Sequence, residues 1–241
     1  MRGWGRICGS TALAVTLLVA VPAGRAHVLA PSAAPRQCTS AYAYAGLQAA
    51  APASGIRAVV RTLSAPVVRA GHVGAWIGVG GPKLGPSGAD EWLQVGYSSF
   101  ESGQTEIYYE LTQPGRPTVY HTVKSTLLLG ETHLLSVLEM SARPGSWRAW
   151  VDDTPVSPVV TLADSHGRFA PLAVGETWNA GTHECNRYAY RFSHLQVARR
   201  LGGSWVRSTT GHIWRDGENQ FVRLSPDAFD ARTTPSVQSR R

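Results

Sequence analysis

Charge is scarce in this sequence, and so are cysteine and methionine. Asp, Glu, Lys and Arg make up 16% of 241 residues, with 3 Cys and 2 Met. The basic residues are scattered rather than clustered, which excludes the basic stripe that nucleic-acid binding needs. Beyond the N-terminus no run approaches the ~18 to 20 apolar residues of a membrane span, so no stable membrane association is expected. HExxH, GxxxxGK and GxSxG are all absent, and Gly78-Val79-Gly80-Gly81 lacks the spacing of a dinucleotide turn. The 8 His are dispersed, none at i+2 or i+4 of another, so neither a zinc site nor an organic cofactor is expected.

Residues 1–26 read as a signal peptide. Arg2 and Arg6 form its charged start, Thr11 to Val21 its apolar stretch, and Gly24-Arg25-Ala26 a small-residue cleavage site. Removing it takes away three of the 23 basic residues, leaving 20 against 16 acidic ones, a formal +4. Cys8 leaves with it. An exported, extracellular protein would then hold only Cys38 and Cys185, for which one disulfide is the economical reading. Such a bond would tie the N-terminal segment to a loop after residue 178.

What is abundant is Gly (25) and Pro (15). They punctuate about twelve strand candidates from Ala41 to Leu224 at short spacing, with no convincing amphipathic helix. This pattern indicates an all-β sandwich or jelly roll of one domain over residues 38–231, monomeric, after a disordered Pro/Ala-rich leader at 27–37. A flexible tail is expected over 232–241. Asp152-Asp153 and Asp216-Gly217-Glu218-Asn219 read as hairpin turns rather than metal loops. Val156 to Leu162 reads as a strand.

Two stretches carry chemistry. In Glu91 to Tyr97, apolar Leu93, Val95 and Tyr97 alternate with Trp92, Gln94 and Gly96, so an amide sits beside a large aromatic on one strand face. In Leu172 to Trp178, the carboxylate of Glu176 shares a face with Leu172, Val174 and Trp178. Tyr108 and Glu110 share a face of a strand between them. Trp92, Tyr108 and Trp178 would wall an aromatic cleft for an extended chain. A Glu can take a proton from water attacking a carbonyl and return it to the leaving group. A Gln amide can donate to the oxyanion that forms. Burial beside Trp178 and Val174 disfavours a charged carboxylate, so activity is expected on the acid side. Glu110 reads as solvated ahead of a partner within the cleft, and Trp76 as core. Trp147 and Trp150 lie on opposite strand faces, so at most one could line a cleft.

In order along the chain, Gly74-Ala-Trp-Ile-Gly-Val-Gly-Gly81, Trp92-Leu-Gln-Val-Gly96, Tyr108-Tyr-Glu110, Gly130 to Glu139 and Pro171 to Trp178 resemble the strands of glutamic peptidases, the eqolisins. The resemblance runs from about Tyr42 to Phe229. It implies a concanavalin A-like β-sandwich of two antiparallel sheets. It also implies a secreted, acid-active endopeptidase acting on polypeptides, with Gln94 and Glu176 as the catalytic pair and no cofactor. The family's N-terminal Trp has its nearest counterparts in Tyr42 and Tyr44, and Gly80-Gly81-Pro82 stands where members carry an acidic residue. Two other readings share the fold. One is a non-catalytic lectin-like module stacking Trp92, Tyr108 and Trp178 on the rings of a polysaccharide. The other is a glycosidase pairing Glu110 with Glu176 at ~5 to 9.5 Å.

Overall fold

A computed structural model describes residues 37–234. The expected signal peptide and nearly all of the expected leader lie outside them. Alternation of apolar and polar residues sets the first strands: β1 (Ala43–Ala49), β2 (Gly55–Val67), β3 (His72–Gly81), β4 (Glu91–Phe100), β5 (Thr105–Thr112) and β6 (Val119–Lys124). They continue as β7 (Thr132–Glu139), β8 (Ser146–Val151), β9 (Thr154–Pro155), β10 (Val160–Thr161), β11 (Leu172–Trp178) and β12 (Arg187–Arg200). The last are β13 (Gly203–Arg207), β14 (Gly211–Arg215), β15 (Asn219–Ser225) and β16 (Ala228–Thr233).

These strands build a sandwich of two antiparallel sheets, as the sequence predicts. One sheet has 7 strands in the order β14-β1-β11-β3-β4-β5-β6. The other has 9: β10-β8-β7-β2-β12-β16-β15 in line, with β13 on β12 and β9 on β8. The core lies between them. From the first sheet come Ala75, Ile77, Val79, Leu93, Val95, Tyr97 and Ala173; from the second come Ile56, Val60, Leu135, Val137, Trp147, Tyr190, Phe192 and Phe229. Leu93, Val95 and Tyr97 are each 0% exposed, so each stabilises the fold by roughly 1.5 to 3 kcal/mol. Gly175 is needed on this inner face, because a Cβ there would lie 2.6 Å from the Tyr188 ring. With odd-numbered positions of β3 and β4 inward, the even-numbered ones face outward from the 7-stranded sheet. That outer face carries the site.

Four expectations need correction. Between Val156 and Leu162 only Val160–Thr161 pairs, and Pro158 within that stretch has no N–H to give a ladder. The Asp216–Asn219 turn does not close a hairpin: β14 before it belongs to one sheet and β15 after it to the other. The final strand runs to Thr233, past the expected start of the tail at 232, with Arg232 and Thr233 paired to Gln220 and Asn219. β14 and β16 were not recognised as strands. The Asp152-Asp153 turn is as expected: both residues have positive φ, 49° and 60°, and Val151 pairs with Thr154 across them.

The Cys38–Cys185 disulfide is present. Around it, the Cys38 amide donates to the His183 carbonyl at 3.2 Å, and Asn179 Nδ2 donates to the Thr39 carbonyl at 2.7 Å. The bond therefore fixes the segment leading into β1, which carries Tyr42 and Tyr44 to the rim of the outer face.

Candidate active-site cleft

The outer face of the 7-stranded sheet holds a cavity of about 660 Å³. Its lining includes Trp92, Gln94, Tyr108, Glu110 and Glu176 together with His72, Trp76, Tyr42, Tyr44 and Trp214. Five of the six residues expected at the site therefore meet on one surface. The sixth, Trp178, stands at the rim, its ring parallel to Tyr42 with centroids 5.4 Å apart.

Register explains how Glu176 is held. On β11 it lies opposite Gly74 of β3, which has no side chain to intervene. His72 and Trp76 flank Gly74 two residues to either side and reach diagonally to the carboxylate. His72 Nε2 meets Oε1 at 2.7 Å, and the Trp76 indole N–H donates to Oε2 at 2.8 Å. Both oxygens are engaged, and the residue is 7% exposed. Trp76 is thus part of the cleft wall rather than core. Gly96, opposite Trp76, makes room for it: a Cβ there would lie 2.4 Å from the Trp76 Cβ.

A second set forms on β4 and β5 by the same diagonal logic. Gln94 is paired directly with Glu110. The Trp92 indole N–H donates to Glu110 Oε1 at 2.8 Å, and Gln94 Nε2 donates to the Tyr108 hydroxyl at 3.0 Å. Glu110 is accordingly a bonded member of the cleft wall, not a solvated residue. Burial raises its pKa above the usual carboxylate range. The Trp92 hydrogen bond opposes this, the nearby Glu176 charge adds to it, and His72 lowers it. The Tyr108 hydroxyl is pushed up by burial and then by the charges of Glu176 and Glu110, so it stays protonated. Tyr108 stacks on Tyr120 at 4.7 Å.

Gln94 and Glu176 do not hydrogen-bond to each other. The row through Gln94 runs to Gly78 and Leu172 on one side and to Glu110 on the other, whereas the row through Glu176 runs to Gly74 and Ser98. The nearest carboxylate to Gln94 by register is that of Glu110. Trp147 is buried in the core and Trp150 lies on the other sheet, so neither reaches the cleft. His72 was missed by sequence reasoning, since an isolated His after a turn carries no pattern. Trp76 had a signal: Ala75, Ile77 and Val79 facing inward puts Trp76 outward. Among the described residues no cluster of three or more His, Cys, Asp or Glu is arranged to hold a metal ion.

No protein-family model matches the chain, and no curated protein matches its sequence. Solved structures do match its shape. One is a scytalido-glutamic peptidase with a transition state analogue inhibitor: TM-score 0.56, 15% identity, covering 82% of this chain and 100% of that one. The same peptidase with a peptide-based transition state analogue gives 0.53 at 16% identity, with the same coverage. SCP-B, a member of the eqolisin family complexed with the tripeptide Ala-Ile-His, gives 0.51 at 15%, again over 82% and 100%. At these identities the likeness is one of fold: the chain is built on the same sandwich as the eqolisin glutamic peptidases.

Proposed function

We propose that this protein is an exported hydrolase of polypeptide chains, working on the acid side of neutrality from the cleft just described. The observation that carries the reading is a pair of carboxylates, Glu176 and Glu110, in one aromatic cavity and in different surroundings. Glu176 lies between the nitrogens of His72 and Trp76, while Glu110 holds a proton to higher pH than an ordinary carboxyl. Groups separated in this way divide the work of base and acid.

In the step we envisage, Glu176 takes a proton from water as the water oxygen bonds to the peptide carbonyl carbon. The C–N bond then breaks as Glu110 gives its proton to the departing amine. The Glu176 proton returns to Glu110 through His72 and solvent, restoring both groups. Tyr108, its hydroxyl bonded by Gln94, lines the same cavity and is available to the carbonyl oxygen. Trp92, Trp178 and Tyr42 offer flat surfaces to an extended substrate. The shared fold with peptidases that hold peptides and peptide-like inhibitors favours a polypeptide. The Cys38–Cys185 bond fits an oxidising, extracellular setting.

Digestion of an acid-denatured protein by the purified mature chain between about pH 3 and 8 tests this reading, with soluble polysaccharides as parallel substrates. Peptide cleavage that disappears in Glu176→Gln is expected. Release of sugars without peptide cleavage would instead assign the two carboxylates to glycoside hydrolysis. Absence of both from folded protein would leave a binding cleft.

A further inference from the structure

The part of the cleft that contacts the reacting carbonyl can be specified more closely. Gln94 enters the wall with its amide nitrogen already committed to the Tyr108 oxygen at 3.0 Å. That oxygen is the acceptor, so the Tyr108 proton is free to point elsewhere, and among the described residues no acceptor takes it. Tyr108 lines the cavity and is only 4% exposed. By register its row, through Gly96, Trp76 and Val174, lies between the row of Glu176 and the row of Glu110. The ring is held by the parallel face of Tyr120, with 14° between the planes. A desolvated O–H in the cavity wall, on a row between those of an acid and a base, is an arrangement that can stabilise a developing oxyanion.

We infer that the Tyr108 hydroxyl, held in place by Gln94, is the hydrogen-bond donor to the oxyanion in the peptide hydrolysis proposed above. Gln94 is a positioning residue whose amide orients the phenol. This rests on the hydrolase reading and changes the role first expected for Gln94. Charge accumulates on the carbonyl oxygen only in the tetrahedral state, so the donor should distinguish that state from a bound amide.

The test is calorimetric titration of the mature protein with a peptide phosphinate, which carries a tetrahedral anion, and with the matching uncleavable amide peptide. Wild type is compared with Tyr108→Phe, Gln94→Leu and the double variant, each checked for fold by near-ultraviolet dichroism. Wild type should favour the phosphinate by at least about 100-fold. Tyr108→Phe keeps the ring and its stack on Tyr120, so amide binding should hold while most of the phosphinate preference disappears. Turnover should fall about 10²–10³-fold with KM unchanged. Adding Gln94→Leu to Tyr108→Phe should cost little more, because the amide acts through the hydroxyl. Gln94→Leu alone reports on the same hydroxyl through its partner and should lose part of the preference. If Tyr108→Phe retains the preference, or if Gln94→Leu removes just as much in its presence as in wild type, the inference is overturned. Cleavage that still depends on Glu176 would in that case leave the hydrolase reading standing. Failure of wild type to bind either peptide would overturn both.

Discussion

Two carboxylates in this fold are buried against a histidine, and they do different things. Glu139, at the end of β7, is 0% exposed; its Oε1 accepts the Gly145 amide at 2.6 Å and faces His166 Nδ1 at 2.9 Å. It clamps the β7–β8 turn to the loop at His166; a second cavity, of about 420 Å³, is lined by its partners Gly145 and His166 but not by Glu139 itself. Glu176 is nearly as buried, yet its partners are side chains of a neighbouring strand and its surface opens on the 660 Å³ cleft. A histidine beside a buried glutamate therefore says little about chemistry. Access, together with a second carboxylate and a free hydroxyl within the same space, separates a candidate catalyst from a structural clamp.

The contrast can be broken most forcefully at Glu139. Truncation by Glu139→Ala strands the Gly145 N–H and should cost about 2 to 3 kcal/mol of stability, read from urea unfolding. Glu176→Gln should cost under about 1 kcal/mol. The new carbonyl can still accept from Trp76, and the new amide can donate to a neutral His72. Equal losses at the two positions would erase the distinction between clamp and cleft residue.

Trp76→Phe is a milder intervention. It keeps the aromatic wall but leaves Glu176 Oε2 without its donor, and should lower turnover about tenfold, on the order of one hydrogen bond to a charged group. A rate unchanged by this substitution would show that the Trp76 contact does not tune the base.

The smallest effect on stability concerns Glu110. Its folded pKa is raised, chiefly by burial. The unfolded chain therefore releases this proton at lower pH than the folded one does. Its contribution to stability is full below the ordinary carboxylate range and is lost as pH rises through the folded value. Glu110→Gln should flatten that decline in Tm and, because it removes the proposed acid, lower turnover by about 10²-fold or more at every pH. A decline that persists in the variant would have to come from other groups, such as Glu91, whose pKa burial also raises.

Much of this was legible in the sequence because period-two alternation is a direct consequence of strand geometry. Leu93, Val95 and Tyr97 facing inward required Trp92 and Gln94 to face outward, and the same rule placed Val174, Glu176 and Trp178 together. It did not give the vertical offset between strands. Whether Glu176 lies level with Gln94 or with Ser98 depends on the register of β11 against β3 and of β3 against β4, fixed by side-chain packing between distant segments. For that reason the sequence could not show that Gln94 and Glu176 lie in different rows, nor that Gln94 bonds to Tyr108 and Glu110 to Trp92. His72 was invisible for the same reason, since its meaning lies in a partner 104 residues away. The crossing from β14 to β15 escaped because a turn sequence reports that the chain reverses, not which sheet it joins.

The most direct test of the account compares Glu176→Gln with Glu139→Gln on one polypeptide substrate, with rates expressed per folded molecule. The account predicts a loss of roughly 10²–10⁴-fold for Glu176→Gln and a rate close to wild type for Glu139→Gln. Cleavage by Glu176→Gln at the wild-type rate, or an equal fall in both variants, would contradict it.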